Sequence, residues 1–165
     1  MANYEITTKE GNCIFCEIAK GNIEQDRVFW QDDNFMAFLS LYPNTSGFAV
    51  VIPKKHYDSD CLALPDKVLQ KFILASKKAS NILLKYFSDV GRVGLIMEGT
   101  GINHAHIKLF PMHGTEDLKK GVWHQYPSYK SGYFKKYKGY IVSTGGSKAN
   151  EKKLKELAEK LRKIQ

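Results

Sequence analysis

The residues of this chain best suited to chemistry lie on one short line, His104-Ala105-His106-Ile107-Lys108. On an extended strand, side chains alternate between two faces. His104, His106 and Lys108 therefore share one face, while Ala105, Ile107 and Leu109 share the other and suit a core. Three ionisable groups in a row are costly to bury. They make sense on a face that lines a site for an anion. Pro111 is expected to end the strand.

A second set lies far away in sequence. Cys13-Ile14-Phe15-Cys16 is a C-x-x-C pair. A thioredoxin-like redox pair would need a βαβ neighbourhood, which the pattern here lacks. As half of a zinc site it needs two more ligands from Cys or His. His56 and His104 are chemically well matched to that role. Cys61, His113 and His124 are also available, so spacing alone leaves the ligand set open.

Both sets need elements to hold them. "CIFCEIAKGN" reads as a short helix stopped near Gly21, where glycine suits a helix end. Residues 27–31 and 34–40 are aromatic and β-branched runs joined at Asp32-Asp33, as in a tight hairpin. Residues 48–53, 92–98 and 104–110 read as three more strands. Residues 64–88 form the clearest helix, with Val68, Leu69, Phe72, Ile73, Ala79, Ile82, Leu83 and Tyr86 at helical spacing and Pro65 near its start, suited to a first turn. The fold class is α+β: five strands, one long helix and one short one. A last amphipathic helix is expected near the end, with Leu154, Leu157, Ala158, Leu161 and Ile164 on one stripe.

Composition bounds the partners. The 165 residues carry a net charge of +8, unevenly spread. Residues 1–118 hold 12 Lys/Arg against 14 Asp/Glu, and residues 119–165 hold 13 against 3. The expected organisation is a near-neutral domain over 1–118 and a basic extension over 119–165, which suits phosphates or an acidic partner. Three cysteines do not make a disulfide framework and point to a reducing compartment or a metal. No apolar run approaches the roughly 18 residues of a membrane span. The N-terminal segment lacks the apolar core of a signal peptide. A cytoplasmic protein is expected.

The pieces taken together resemble a known family. "CIFCEIAKGNI", "RVFWQDDNFMAFLSLYPNTSGFAVVIPKKHY" and "HAHIKLFP" occur in the order found in the histidine triad (HIT) superfamily of nucleotide hydrolases and transferases. The likeness runs from about residue 12 to 114. It implies an antiparallel five-stranded sheet, a homodimer that joins two such sheets, and a purine nucleotide with its α-phosphate against the histidine strand. It assigns the nucleophile to His106, which would form a nucleotidyl-histidine intermediate. Phosphoramidates or dinucleoside polyphosphates are the implied substrates.

The resemblance also implies a structural zinc on Cys13, Cys16, His56 and His104, with four protein ligands and no open position. Phe15, Ile18 and Leu41 match positions that pack on the base. Three departures stand out. Ser40 occupies the place of a ribose-binding Asp. The loop before the triad is shortened to "MEGTGINH", where Met97 replaces an expected Asn and Thr100 becomes the candidate phosphate donor. Lys108 stands where the family has His or Gln, and its charge suits a growing negative charge in the transition state. Two other readings follow: a nucleotide-binding or interaction protein with little turnover, and an enzyme acting on adenylated nucleic-acid ends, with the basic extension holding the polyanion.

Overall fold

The structure is a computed structural model and describes residues 13–23, 25–123, 125, 126, 132, 135 and 136. The chain divides into a compact unit ending at Trp123 and a second unit beginning at His124. The helix expected over 150–164 lies outside the described residues.

The first unit runs α1 (Ile14–Lys20), β1 (Val28–Gln31), β2 (Phe35–Leu39), β3 (Ala49–Pro53), α2 (Asp66–Tyr86), β4 (Val90–Ile96) and β5 (Ile107–His113). The strands form one antiparallel sheet in the order β1-β2-β3-β5-β4. This is the expected α+β architecture. Gly21 ends α1 in the left-handed conformation, φ 80°, as its place in the sequence suggests. The Asp32 carboxylate accepts the backbone N–H groups of Asn34 and Phe35 and so closes the β1–β2 hairpin.

The sheet buries both faces. Phe35, Ala37, Val51, Ala105, Ile107 and Leu109 pack with Phe72, Ala79 and Leu83 of α2. Met36, Phe38, Val50 and Ile52 pack on the other side with Cys13, Phe15 and Ile18 of the α1 segment. The alternation read from the sequence is therefore kept: Ala105, Ile107 and Leu109 turn toward α2. A sheet covered on both faces needs near-continuous apolar strands, and β2 and β3 have that composition.

Three expectations change. β5 begins at Ile107, not His104, and continues through Pro111 to His113. Proline is tolerated because pairing with β3 stops at Leu109, which leaves one side of β5 without a strand partner at that point. Pro65 is the residue before α2 and not part of its first turn. The apolar stripe of α2 is also wider than the surface it covers. Ile73, Ile82 and Tyr86 are exposed, and Ala75 and Ser76 take inner places, the Ser76 hydroxyl donating to the Phe72 carbonyl. Among the described residues, no helix is long and apolar enough to cross a membrane.

Candidate functional site

The segment leading into β5 meets the α1 segment and the end of β3. His104 is fully buried and His106 nearly so. The Phe15 ring stands edge-on between them, with centroids 5.8 Å from His104 and 5.6 Å from His106. Phe15 also packs edge-on against Phe38, at 5.7 Å. The short α1 helix thus walls the histidine segment.

Each histidine has its tautomer fixed by a carbonyl. His104 Nε2 lies 2.9 Å from the Pro53 oxygen. A carbonyl only accepts, so Nε2 carries the hydrogen and Nδ1 is left with its lone pair. That lone pair faces sulfur: Cys13 Sγ is 3.3 Å and Cys16 Sγ 3.5 Å from His104 Nδ1. His56 Nδ1 lies 3.3 Å from Cys16 Sγ. All four ligand atoms of Cys13, Cys16, His56 and His104 fall within 4.8 Å of one another. This group could hold a metal ion. Metal–sulfur and metal–nitrogen bonds of ordinary length at a tetrahedral angle separate S from N by about 3.5 Å. The contacts seen here match that spacing. Burial pushes the His104 pKa down to about 4, so the imidazole is neutral and able to ligate. Burial, with Cys13 alongside, pushes the Cys16 thiol up to about 11.

His106 is set the other way round. Its Nδ1 donates to the His104 carbonyl at 2.8 Å, which leaves Nε2 with the lone pair. Burial lowers its pKa and favours the neutral ring. The result is an oriented imidazole whose Nε2 carries the lone pair. Behind it, the buried Cys61 thiol donates to the His106 carbonyl at 3.5 Å. The backbone around His106 is therefore held on both sides.

Lys108 is half-buried and its Nζ donates to the Glu98 carboxylate. Burial pulls the Lys108 pKa down. Sequence reasoning misses Glu98. It sits in the β4–β5 connection, ten residues from Lys108, and follows no period. Its neighbour Met97 is the position where the family pattern expects Asn, and Thr100 is the candidate replacement donor of the shortened loop. Asn103, a polar residue of the same connection, has its side chain committed elsewhere. It accepts the Ser59 N–H at 2.9 Å and donates to Asp58 at 3.0 Å.

The candidates for nucleotide contact divide. Phe15 and Ile18 are buried in the cluster beside the histidines. Ser40 follows β2, and its hydroxyl accepts the Tyr42 N–H at 3.1 Å. Leu41 and Thr100 are exposed and lie outside that buried cluster. The alternative metal ligands are placed apart from the four-residue group. Cys61 is engaged with the His106 carbonyl, and His113 lies between Asp89 and the Ser46 carbonyl. His124 lies outside the described residues.

The family model for the scavenger mRNA decapping enzyme C-terminal binding domain matches residues 12–109. That interval holds the C-x-x-C pair, both histidines and Lys108. The chain belongs to the histidine triad superfamily. A HIT-like protein of Methanocaldococcus jannaschii is 36% identical over 103 residues, 60% of this chain and 78% of that one. An adenosine 5'-monophosphoramidase of Saccharomyces cerevisiae is 27% identical over 129 residues, 78% of each chain. The solved structure of a HIT family protein from Bacillus anthracis superposes with a TM-score of 0.60 at 25% identity, covering 94% of this chain and 98% of that one. The HIT fold expected from the sequence is the fold observed.

Proposed function

We propose that this HIT protein is a nucleotidyl hydrolase or transferase that cleaves purine nucleotide conjugates at the α-phosphate through His106. One observation carries the reading: His106 is buried, and its Nδ1–H donates to the His104 carbonyl, which leaves the Nε2 lone pair to act as the nucleophile. The likeness to an adenosine 5'-monophosphoramidase supports the substrate class.

The chemistry follows from these positions. His106 Nε2 attacks the α-phosphorus and forms a P–N bond as the bond to the leaving group breaks. Lys108, next along the same face, supplies N–H donors to the charge that develops on the phosphoryl and leaving-group oxygens. Water, or another acceptor, then attacks phosphorus, and the P–N bond breaks to release the nucleotide and the imidazole. Phe15 and Ile18 offer apolar surface to the base, with Leu41 at the rim. Ser40 offers one hydroxyl to the ribose, a weaker partner than a carboxylate. Thr100 is the candidate phosphate donor in the loop. Residues 1–118 make up the nucleotide-binding part and 119–165 its basic extension.

Cys13, Cys16, His56 and His104 fit a zinc ion in donor type and spacing. Such an ion would have a structural role, tying the α1 segment to the residues around His106. A homodimer is supported by the surface. Among the described residues β4 is a sheet edge, and Leu95, Ile73, Ile82, Tyr86 and Met112 are exposed on or near it and on α2. The proposed location is the cytoplasm, where free thiols persist.

A substrate panel tests the assignment. Purine nucleoside phosphoramidates and dinucleoside polyphosphates are expected to turn over with the wild type and not with His106→Ala. Equal turnover by the two proteins would sink it. The reading of a nucleotide-binding protein with little turnover draws on the Lys108–Glu98 pair, which occupies the lysine. It predicts calorimetric binding of nucleotide with no member of the panel consumed. Action on adenylated nucleic-acid ends would instead give binding that weakens steeply with salt and needs residues 148–165.

A further inference from the structure

Glu98 has no place in the chemistry set out above, yet it contacts the ammonium of Lys108, two residues on from the nucleophile. Its side chain is 10% exposed and that of Lys108 25%, so the pair lies mostly out of water. The loop that carries Glu98 is held in place. Gly99 takes φ +64°, and a Cβ there would stand 2.9 Å from the Ser59 carbonyl oxygen. Asn103 bridges the same loop to Asp58 and Ser59. Glu98 is thus presented to Lys108 from a braced loop.

Resting on the nucleotidyl-transfer reading, we propose that Glu98 is a positioning and selectivity residue that holds Lys108 and offsets its charge, so that the site favours leaving groups that need a proton over leaving groups that are already polyanions. An unpaired ammonium in a partly dry site would attract any polyphosphate. Paired with a carboxylate it keeps two further N–H donors but little net charge. The carboxylate also repels a polyanionic leaving group placed beside it.

The proton balance fits this division. As Nε2 of His106 bonds to phosphorus, the P–X bond breaks and its electron pair goes to the leaving nitrogen or oxygen. That atom takes a proton from Lys108, which becomes a neutral amine. In the second step a water oxygen bonds to phosphorus, its proton returns to Lys108, and the P–N electron pair returns to Nε2. A pyrophosphate-type leaving group departs without needing that proton and gains nothing from it. Glu98 acts through Lys108 by fixing where its proton points.

The test is a leaving-group comparison on the full-length protein. One substrate is a purine nucleoside monophosphate bearing an amine leaving group, and the other is a dinucleoside polyphosphate. Glu98→Gln is expected to lower kcat for the amine substrate on the order of tenfold, the loss of one charge-assisted hydrogen bond. It should leave or raise kcat/KM for the polyphosphate. In a Lys108→Gln background the same change should leave the amine substrate unaffected, because the two residues act as one unit. Glu98→Asp keeps the carboxylate, and it also carries the test if Glu98→Gln does not fold. It should give a smaller drop with the amine and no gain with the polyphosphate. Equal losses with both substrates, or a full Glu98 effect without Lys108, would overturn the proposal. Absence of a His106 adduct with every substrate would instead remove the underlying reading.

Discussion

Cys13→Ala separates packing from metal binding at the paired cysteines. The Cys13 side chain is 3% exposed and packs with Phe15, Ile18, Met36 and Val50. Removing one buried sulfur from such a cluster costs about 1 kcal/mol in lost burial and packing. The same sulfur is 3.3 Å from His104 Nδ1 in the four-ligand group. A metal present at about a hundredfold excess over its dissociation constant adds about 2.7 kcal/mol of stability. With metal present the variant should therefore lose roughly 4 kcal/mol, against a typical total of about 5–15 kcal/mol. At roughly 4 °C per kcal/mol for a body of this size, melting should fall by about 15 °C. In excess chelator the wild type loses the metal contribution and the variant does not. The gap should then shrink to about 4 °C. Melting curves of both proteins, with zinc and with chelator, measure the two gaps. If the gap is the same in both buffers, these residues hold no metal and Cys13 is a packing residue only.

Other perturbations probe the rest of the fold. His113 donates to both the Ser46 carbonyl and Asp89, which raises its pKa and demands the doubly protonated ring. Its contribution is complete below its ordinary value near 6.5 and is lost as pH rises through the raised value. The melting gap between wild type and His113→Gln should therefore be wider at about pH 6 than at about pH 9; a gap independent of pH would refute this. Gly47 takes φ +75°, and a Cβ there would meet the Phe87 ring at 2.4 Å. Gly47→Ala should cost about 1–3 kcal/mol or more in urea denaturation, since both the backbone and the ring oppose it. Phe72 is fully buried and stacks on Phe35 at 5.4 Å. Phe72→Ala should cost about 3–5 kcal/mol in the same assay.

How much was legible in the sequence depends on whether a feature repeats or recurs in a motif. The alternation through Ala105, Ile107 and Leu109 locates the α2-facing core because a strand has a strict period. The C-x-x-C pair suggests a metal because sulfur ligands have few other uses at that spacing. Strand ends are less legible. Whether Pro111 stops β5 depends on where β3 stops, which is a property of a different segment. The stripe on α2 places the helix correctly but overstates its buried face, since periodicity does not reveal how wide a sheet lies beneath. Glu98 is invisible for a related reason: an ion pair between a loop and a strand leaves no pattern in either. Leu41 matches a motif position and Thr100 is a substitute donor in the shortened loop; both are exposed.

The measurement closest to the central claim is the mass of the protein caught during turnover. Wild-type protein mixed with a purine nucleoside phosphoramidate and quenched in base should carry one nucleotide. Peptide mapping should place it on His106, and His106→Ala should carry none. A protein that consumes the substrate with no adduct at His106, or with an adduct on another residue, would contradict the account.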